Sequence, residues 1–331
     1  MKYSIATFFI CLLLLSGCIE TQSSKGSEQS SQTLPTTSSE SGVDIEDRVI
    51  SLFGAVLPEK QLSERIYDER LEKLETAREN YEKDPENIEN IIWYGRRLAY
   101  LGEYNEAIHI YSIGLDKDPD NYKLLRHRGH RYITIRKFDK AIEDLQRAAF
   151  HSRPAKNEIE PDGLPNRLNK PLSNTKFNIW YHLGIAYYLK GNYDKAISSF
   201  KQCMEFCDND DLLVANTNWF YMTYQKIGNK SAAEELLEPI NSGMEIIEKY
   251  AYYQLLQMYR GDVLADDLLD KAERENNSLD PTLGYGLANW YLYNGQLEKG
   301  KTILDRILLS RQWDAFGYEA AEVDDLSLSN L

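Results

Sequence analysis

Two stretches of the chain repeat the same order of small, aromatic and apolar positions. Between residues 88 and 149, Gly95 is followed 34 positions later by Gly129, and Tyr104 by Phe138. Similarity at a fixed period near 34 residues is typical of an array of helix–turn–helix units rather than of a single globular core. The pattern therefore predicts successive pairs of packed helices.

The first full repeat, residues 88–121, has small and bulky residues where a close helix pair needs them. Gly95 and Ala107 are small because the two helices of one repeat cross there, and Tyr104 fills the space toward the next repeat. Pro119 stops the second helix. This set of residues resembles the tetratricopeptide repeat. The resemblance implies an all-α, right-handed α-solenoid whose concave face is lined by the first helix of each repeat.

Further copies bring the predicted solenoid to about five to six repeats. The second copy, residues 122–150, keeps the packing residues but has Arg136 where the turn glycine belongs. The third copy, residues 177–210, is the closest match to the repeat. The remaining copies are a fourth repeat at 214–241, a degenerate helix pair at 244–276 and a last repeat from Pro281, so that repeats three to six occupy 177–312.

Segments on both sides of the array are expected to cap it. Residues 44–87 are predicted to be leading helices, with one charged helix over 59–83 that ends at Asp84-Pro85. This helix is expected to cover the exposed face of the first repeat, since the terminal units of a solenoid must be capped. Residues 313–331 are predicted to form a short helical cap followed by an acidic, serine-rich end.

Residues 151–176 interrupt the array and have no helical period. They contain four prolines and an Asp162-Gly163 turn, and loops this long inside a compact array are usually functional or disordered. One interpretation is a tolerated insertion. The other, which we favour, is a loop folded over one rim of the groove, because prolines lower the entropy cost of ordering. In that case four apolar residues would pack beneath it: Ile159, Leu164, Leu168 and Leu172.

The N-terminus has the pattern of a targeting segment. Residues 5–15 are almost continuously apolar, too short to span a bilayer but long enough for a signal-peptide core. The sequence Leu15-Ser16-Gly17-Cys18 that follows resembles the lipobox of bacterial lipoproteins. The resemblance implies a signal peptide over 1–17 and lipidation of Cys18; an ordinary secretory signal is the alternative. Residues 18–43, rich in Ser, Thr, Gln and Glu, are expected to be a disordered tether.

Together these segments predict a protein of the bacterial cell envelope, held by a lipid anchor. Ile19 after the cysteine favours the outer membrane over the inner membrane. A formal net charge of −14 argues against nucleic acid as a partner, since phosphate binding needs a basic surface. Cys203 lies where the repeat needs a small buried residue, so packing is the favoured role, with an oxidised Cys203–Cys207 pair as the alternative.

The second repeat reverses the charge of the chain. It holds eight basic against three acidic residues and is therefore net +5. By the family resemblance, cations and aromatic residues of the first three repeats share the concave face, a combination that suits a carboxylate or phosphate on an apolar body. The alternative is that these cations pair with acidic helices nearby. The predicted ligand-binding groove consists of Trp93, Arg96, Tyr100, Lys123, Arg126, His127, His130, Tyr181, His182 and Tyr188.

Three histidines of this set support a different hypothesis. His127, His130 and His182 could converge, and Glu160 or Asp162 of the predicted loop lid would then complete a metal-binding or hydrolytic site. No sequence motif of a known metal site, phosphate-binding loop or nucleophile is present. The favoured prediction is therefore a non-enzymatic scaffold without a cofactor, which binds a peptide or protein partner. A structural envelope organiser that uses its convex face is the third alternative.

Overall fold

The structure, a computed structural model, describes residues 48–275 and 279–329. The predicted signal peptide, the tether and Cys18 lie outside the described residues. Within the described ranges the chain is all-α, with fourteen helices and two isolated β-bridges. None of these helices combines the length and the apolar character that crossing a membrane requires. The predicted all-α array is confirmed for this part of the chain.

Consecutive helices pack against each other along most of the chain, and α10 packs against α8 and α12 instead of α9. Six successive pairs, from α2/α3 to α12/α13, correspond to the repeats. The bounds are α1 Glu64–Lys83, α2 Ile88–Leu101, α3 Tyr104–Lys117, α4 Tyr122–Thr134, α5 Phe138–His151, α6 Thr175–Leu189, α7 Tyr193–Met204, α8 Asp210–Lys226, α9 Lys230–Glu235, α10 Tyr250–Tyr259, α11 Ala265–Glu275, α12 Pro281–Tyr293, α13 Leu297–Leu308 and α14 Phe316–Ser329.

Helix crossings and helix starts explain the period of the sequence. A Cβ at Gly95 would lie 2.4 Å from a ring atom of Tyr111, so only glycine allows α2 and α3 to cross there. Five of the six first helices start at a side-chain cap, and α10 is the exception. Asn121, Asn174 and Asn209, for example, each accept a hydrogen bond from a backbone N–H in the first turn of α4, α6 and α8. In these repeats the start of the first helix is thus set by a neighbouring side chain.

The segment before the array contains less helix than the sequence predicts. Helix α1 begins at Glu64, and residues 48–57 instead form a tight turn closed by a bridge between Ile50 and Val56. The helix packs against α2, where the rings of Tyr81 and Tyr94 stack 5.3 Å apart. It therefore covers the outer face of the first repeat.

The fourth repeat is followed by a long non-helical segment. Helix α9 has only six residues, and residues 236–249 run back past the start of α8. Asp211 holds this segment, because its carboxylate accepts hydrogen bonds from the backbone N–H groups of Ile247, Glu248 and Lys249 at 2.8–3.0 Å. This contact places Glu248 and Lys249 beside the first helices of the array.

Cys203 is fully buried, and both described cysteines are free thiols.

The predicted helical cap at the C-terminus extends through the acidic, serine-rich end. It is a helix, α14, that packs against α12, α13 and α6. Its Glu319 and Glu322 side chains are fully buried. Both carboxylates face Arg136, which lies 2.8 Å from Glu322 and 3.6 Å from Glu319. The acidic residues of this end are therefore part of the fold, where a distant arginine lies beside two of them.

Arg136 takes the place of the missing turn glycine and keeps the backbone conformation of that glycine. Its φ angle is +61°, in the left-handed region that costs a side-chain residue about 1 kcal/mol. The guanidinium donates to the backbone oxygens of Thr134 and Trp313 as well as to Glu322. The substitution at the turn is therefore explained by its contacts with the C-terminal segment.

Candidate functional site

The insertion between α5 and α6 is an ordered loop over the first helices of the array. Its two ends run side by side: the N–H of Glu160 donates to the Ser173 oxygen, and that of Thr175 to the Glu158 oxygen, both at 2.9 Å. Only one of its four apolar residues is buried, Leu172; the other three are exposed, and Ile159 is 68% exposed. The expectation that all four would pack was therefore wrong for Ile159, Leu164 and Leu168.

Polar contacts with α2, rather than apolar packing, hold the loop. Arg96 donates to the Pro161 oxygen and Arg97 to the Gly163 oxygen, both at 2.8 Å. A Cβ at Gly163 would lie 2.0 Å from the hydroxyl of Tyr100, so a side chain at this position would push the loop away from α2. The backbone of the loop at Gly163 thus lies directly against the Tyr100 side chain of α2. The loop forms one wall of the site.

Glu160 reaches from the loop into the cationic part of the groove. One oxygen of its carboxylate lies 2.9 Å from Arg126 Nη2, and the other accepts a hydrogen bond of 2.9 Å from Asn178 Nδ2. The side chains of Glu160 and Arg126 are 12% and 8% exposed, so the pair is well shielded from solvent. The loop therefore places one carboxylate against the arginine at the centre of the predicted groove.

Most other cations of the second repeat also have acidic partners. Lys123 pairs with Glu89 and Glu158, and Arg128 pairs with Asp144. The alternative that the basic residues pair with neighbouring carboxylates therefore holds for these two. Arg126 differs, because its only carboxylate comes from the loop and its Nε has no hydrogen-bond partner among the described residues. Burial, together with Arg96, lowers the pKa of Arg126, which still carries its charge at neutral pH.

The three histidines lie together, as the sequence suggested, but in a setting that keeps them neutral. The rings of His130 and His182 stack 4.1 Å apart, and Nδ1 of His127 lies 2.8 Å from a guanidinium nitrogen of Arg126. Burial, followed by nearby arginines, lowers the pKa of all three well below the usual value. The described residues contain no group of three or more His, Cys, Asp or Glu side chains positioned to hold a metal ion.

A cavity of about 340 Å³ lies between the loop and the array. Helices α2, α4 and α6 form its floor, and the loop and residues 248–249 form its sides. Its walls bring together six residues of the predicted groove and both residues of the predicted lid: Arg96, Tyr100, Arg126, His130, Tyr181, His182, Glu160 and Asp162.

Three predicted groove residues line a smaller cavity, and one lies elsewhere. Trp93, Lys123 and His127 line a space of about 170 Å³ on the other side of Glu160. Tyr188 is buried deeper, where its hydroxyl lies 2.6 Å from that of Tyr285 on α12. It is a core contact between α6 and α12 and does not line either of these two cavities.

Several cavity residues were not found from the sequence. Tyr252 of α10 contacts the Tyr181 hydroxyl at 3.1 Å, and Phe316 of α14 lies against His130 and His182. Lys249 and Glu248 belong to the non-helical segment held by Asp211. These residues come from parts of the chain that carry no clear repeat, so the position of a residue within a repeat gave no signal for them.

Comparison with known proteins supports the repeat assignment. Two segments, residues 95–157 and 177–210, match the tetratricopeptide repeat family. The BBSome complex member BBS4 of Bos taurus is 26% identical over 145 residues, which are 43% of this chain and 24% of the relative. The match thus spans about a quarter of the length of that relative.

The solved structures that match this chain have little sequence identity with it. MamA is 16% identical, with a TM-score of 0.40 over 60% of this chain and 89% of MamA. YrrB, described as a TPR protein with an unusual peptide-binding site, is 15% identical, with a TM-score of 0.41 over 78% of this chain and all of YrrB. The repeated helix pairs and the two matched segments identify the chain as a tetratricopeptide repeat protein.

Proposed function

We propose that this protein is a scaffold that binds a peptide or protein partner by taking a carboxylate of the partner into the cavity under the 152–174 loop. The observation that supports this proposal most directly is Arg126, a buried arginine with one carboxylate partner and an unpaired Nε. Arg96 lines the same cavity and adds a second guanidinium. Guanidinium groups bind carboxylates through two parallel N–H donors, which gives both affinity and orientation.

Glu160 defines how a partner would enter. A carboxylate of the partner can replace Glu160 at Arg126 without leaving a buried charge unpaired, and that avoids the main cost of opening a buried ion pair. Three apolar side chains of the loop are already exposed to solvent. Moving the loop away from the array would therefore expose little additional apolar surface. The aromatic residues Phe177, Tyr181 and Tyr252 then provide a surface for an apolar part of the partner.

Crosslinking from inside the cavity tests the proposal. A photoreactive phenylalanine analogue at Tyr252 should capture the partner in cells, because this side chain lines the cavity. The same analogue at Phe150, an exposed residue at the end of α5, is the matched control. Capture from Tyr252 only is expected. Capture from Phe150 only would contradict the cavity site and favour the envelope organiser that binds through its convex face.

Two arginine-to-glutamine variants, one in the cavity and one outside it, test whether Arg96 binds the carboxylate of the partner. Arg96→Gln should reduce capture from Tyr252 about tenfold, as expected for loss of one charged contact in a shielded site. Arg147→Gln is the control, because Arg147 also belongs to the basic repeat but contacts Pro119 and Asp120 instead of the cavity. Equal capture by wild type and Arg96→Gln, with equal thermal midpoints, would exclude carboxylate binding at this arginine.

We further propose that Cys18 carries the lipid anchor of the protein. Support comes from the Leu15-Ser16-Gly17-Cys18 sequence and from the polar stretch that follows it. Two or more acyl chains anchor a protein stably, whereas one does not. Cys18→Ser should move the protein from the membrane fraction to the soluble fraction; an unchanged distribution would contradict the anchor. Absence of enzymatic activity stays a prediction.

A further inference from the structure

Asp162 is one of the acidic residues that line the main cavity, and it differs from Glu160 in having a carboxylate oxygen without a hydrogen-bond partner among the described residues. Its Oδ2 is buried, and no described residue donates a hydrogen bond to it. Burial and the nearby Glu248 raise the pKa of Asp162, while Arg96 opposes this shift. A shielded carboxylate oxygen without a donor is costly for the fold unless another group supplies the donor.

The cavity thus presents an unpaired acceptor and an unpaired donor within one small space. Arg96 donates to the oxygen of Pro161, the residue directly before Asp162, so the guanidinium and the carboxylate lie at the same end of the loop contact. Arg126 Nε, in a residue that is 7% exposed overall, has no acceptor among the described residues. A ligand that satisfies both groups carries an acceptor for Arg126 and a donor for Asp162. Because these groups are a guanidinium and a carboxylate, the charged pair that complements them best is a carboxylate with an ammonium.

The rest of the wall is uncharged or already paired. His130 and His182 stack on each other and are kept neutral, and the hydroxyls of Tyr181 and Tyr252 bond to one another. Glu248 accepts a hydrogen bond from Asn166, and the carboxylate of Asp211 accepts hydrogen bonds from the backbone N–H groups of residues 247–249. The volume of about 340 Å³ is at the lower end of the range for small-ligand pockets. Such a cavity takes one or two amino-acid residues rather than a folded surface.

We propose that the cavity binds an amino-acid zwitterion with an apolar side chain, either a free amino acid or a dipeptide. The carboxylate pairs with Arg96 and Arg126, the ammonium pairs with Asp162, and the side chain lies against Phe177, Tyr181, Tyr252 and Phe316. This inference rests on the carboxylate site of the proposed function and adds a requirement for a positive charge beside the carboxylate.

Calorimetric titration of the full-length protein with L-phenylalanine and L-phenylalanyl-L-alanine tests the proposal and separates the two sources of the ligand. One or both are expected to bind, and the tighter ligand is then compared with its N-acetyl and C-amide derivatives. Each derivative should bind about tenfold more weakly, because each lacks one of the two charges. No heat from either unmodified ligand at millimolar concentration would overturn the proposal.

Variants distinguish failure of this inference from failure of the proposed function. Asp162→Asn should weaken the unmodified ligand about tenfold and leave the N-acetyl derivative unchanged, because only the ammonium contact is lost. Glu158→Gln is the control, as this residue lies in the same loop but pairs with Lys123 outside the main cavity. If N-acetylation and Asp162→Asn have no effect while Arg96→Gln weakens binding, the ammonium site is wrong and the carboxylate site stands. If C-amidation has no effect, both are wrong.

Discussion

Two buried arginines of the second repeat, Arg126 and Arg136, meet carboxylates from outside the regular array in opposite ways. Arg136 contacts Glu319 and Glu322 of α14 and also donates to two backbone oxygens. Arg126 meets only Glu160 of the loop and borders a cavity. The first arrangement is enclosed on all sides by protein, and the second has room for a ligand. Of the two buried ion pairs, only that of Arg126 has a loop side chain next to open space as one partner, and it is the pair that we propose as the binding site.

The Arg136 cluster is part of a wider attachment of the C-terminal segment. Asp314 accepts a hydrogen bond of 2.7 Å from the Tyr104 hydroxyl in the first repeat, and it also pairs with Lys60. Asp324 pairs with Lys226 of α8 at 2.7 Å. Contacts with four separate parts of the chain hold this segment, and those of Arg136 are enclosed by protein. The loop also contacts α2, α4, α6 and Glu248, but its Glu160 borders the main cavity. We infer that α14 is structural and that the 152–174 loop is the exchangeable element.

Removing Arg136 should have the largest effect on stability. Arg136→Met keeps most of the side-chain volume but leaves the buried carboxylate of Glu322 without its cation, and losing one partner of a buried ion pair costs about 3–5 kcal/mol. Urea unfolding measures the loss. Lys137→Ala, at the exposed neighbouring position, is the control and should change the free energy of unfolding by less than about 0.5 kcal/mol. Equal stability of the two variants would show that α14 is held by its apolar contacts instead.

The sequence could predict structure that depends on contacts within one repeat, but not structure that depends on side chains far apart in the chain. Local spacing was enough for the helix pairs, because crossings such as Gly95 with Tyr111 lie within one repeat. The burial of Glu319 depends on an arginine 183 positions away, and no local pattern reports such a contact. Arg136 in place of the turn glycine was the available signal, since a side chain in the left-handed region needs a compensating contact.

The candidate site was predictable in part for the same reason. Repeat positions brought Arg96, Arg126 and His182 to one surface, and proline content suggested that the loop was ordered. Tyr188 was misplaced because the position pattern assumes that every concave residue faces solvent, whereas α12 and α14 cover the end of α6. Phe316 and Tyr252 entered the cavity from segments without a repeat signal.

The pH dependence of stability should separate the two clusters. Burial raises the pKa of Glu319 to about 8 from an ordinary 4.5, so the folded state holds a proton that the unfolded state loses. Its stabilising contribution is complete below about pH 4.5 and is lost progressively as the pH rises to about 8. The difference in unfolding free energy between wild type and Glu319→Gln should therefore fall with rising pH in this window. A difference that stays constant would exclude a protonated Glu319.

The groove histidines should make the free energy of unfolding change with pH in the opposite direction. Burial lowers the pKa of His127, His130 and His182 below their ordinary 6.5, so that the unfolded state takes up protons first. Stability from these groups is present above about pH 6.5 and is lost as the pH falls further. The NMR signals of the imidazoles should stay in the neutral form at pH 6. Charged imidazoles at that pH would mean that water reaches the cavity floor freely.

Replacing Glu160 should have the smallest effect on stability and the most informative effect on binding. Glu160→Gln keeps the shape of the side chain and a hydrogen bond to Arg126 but removes the charge, a change worth about 1–2 kcal/mol. Amide hydrogen exchange in residues 152–174 should become faster while that of α14 stays unchanged, since the two segments are attached to different arginines. Affinity for a carboxylate ligand should rise in parallel, because the variant no longer supplies a competing carboxylate from its own loop. A variant with slower loop exchange or weaker ligand binding would show that Glu160 builds the site with its charge, and the distinction between an exchangeable and a structural arginine cluster would then be lost.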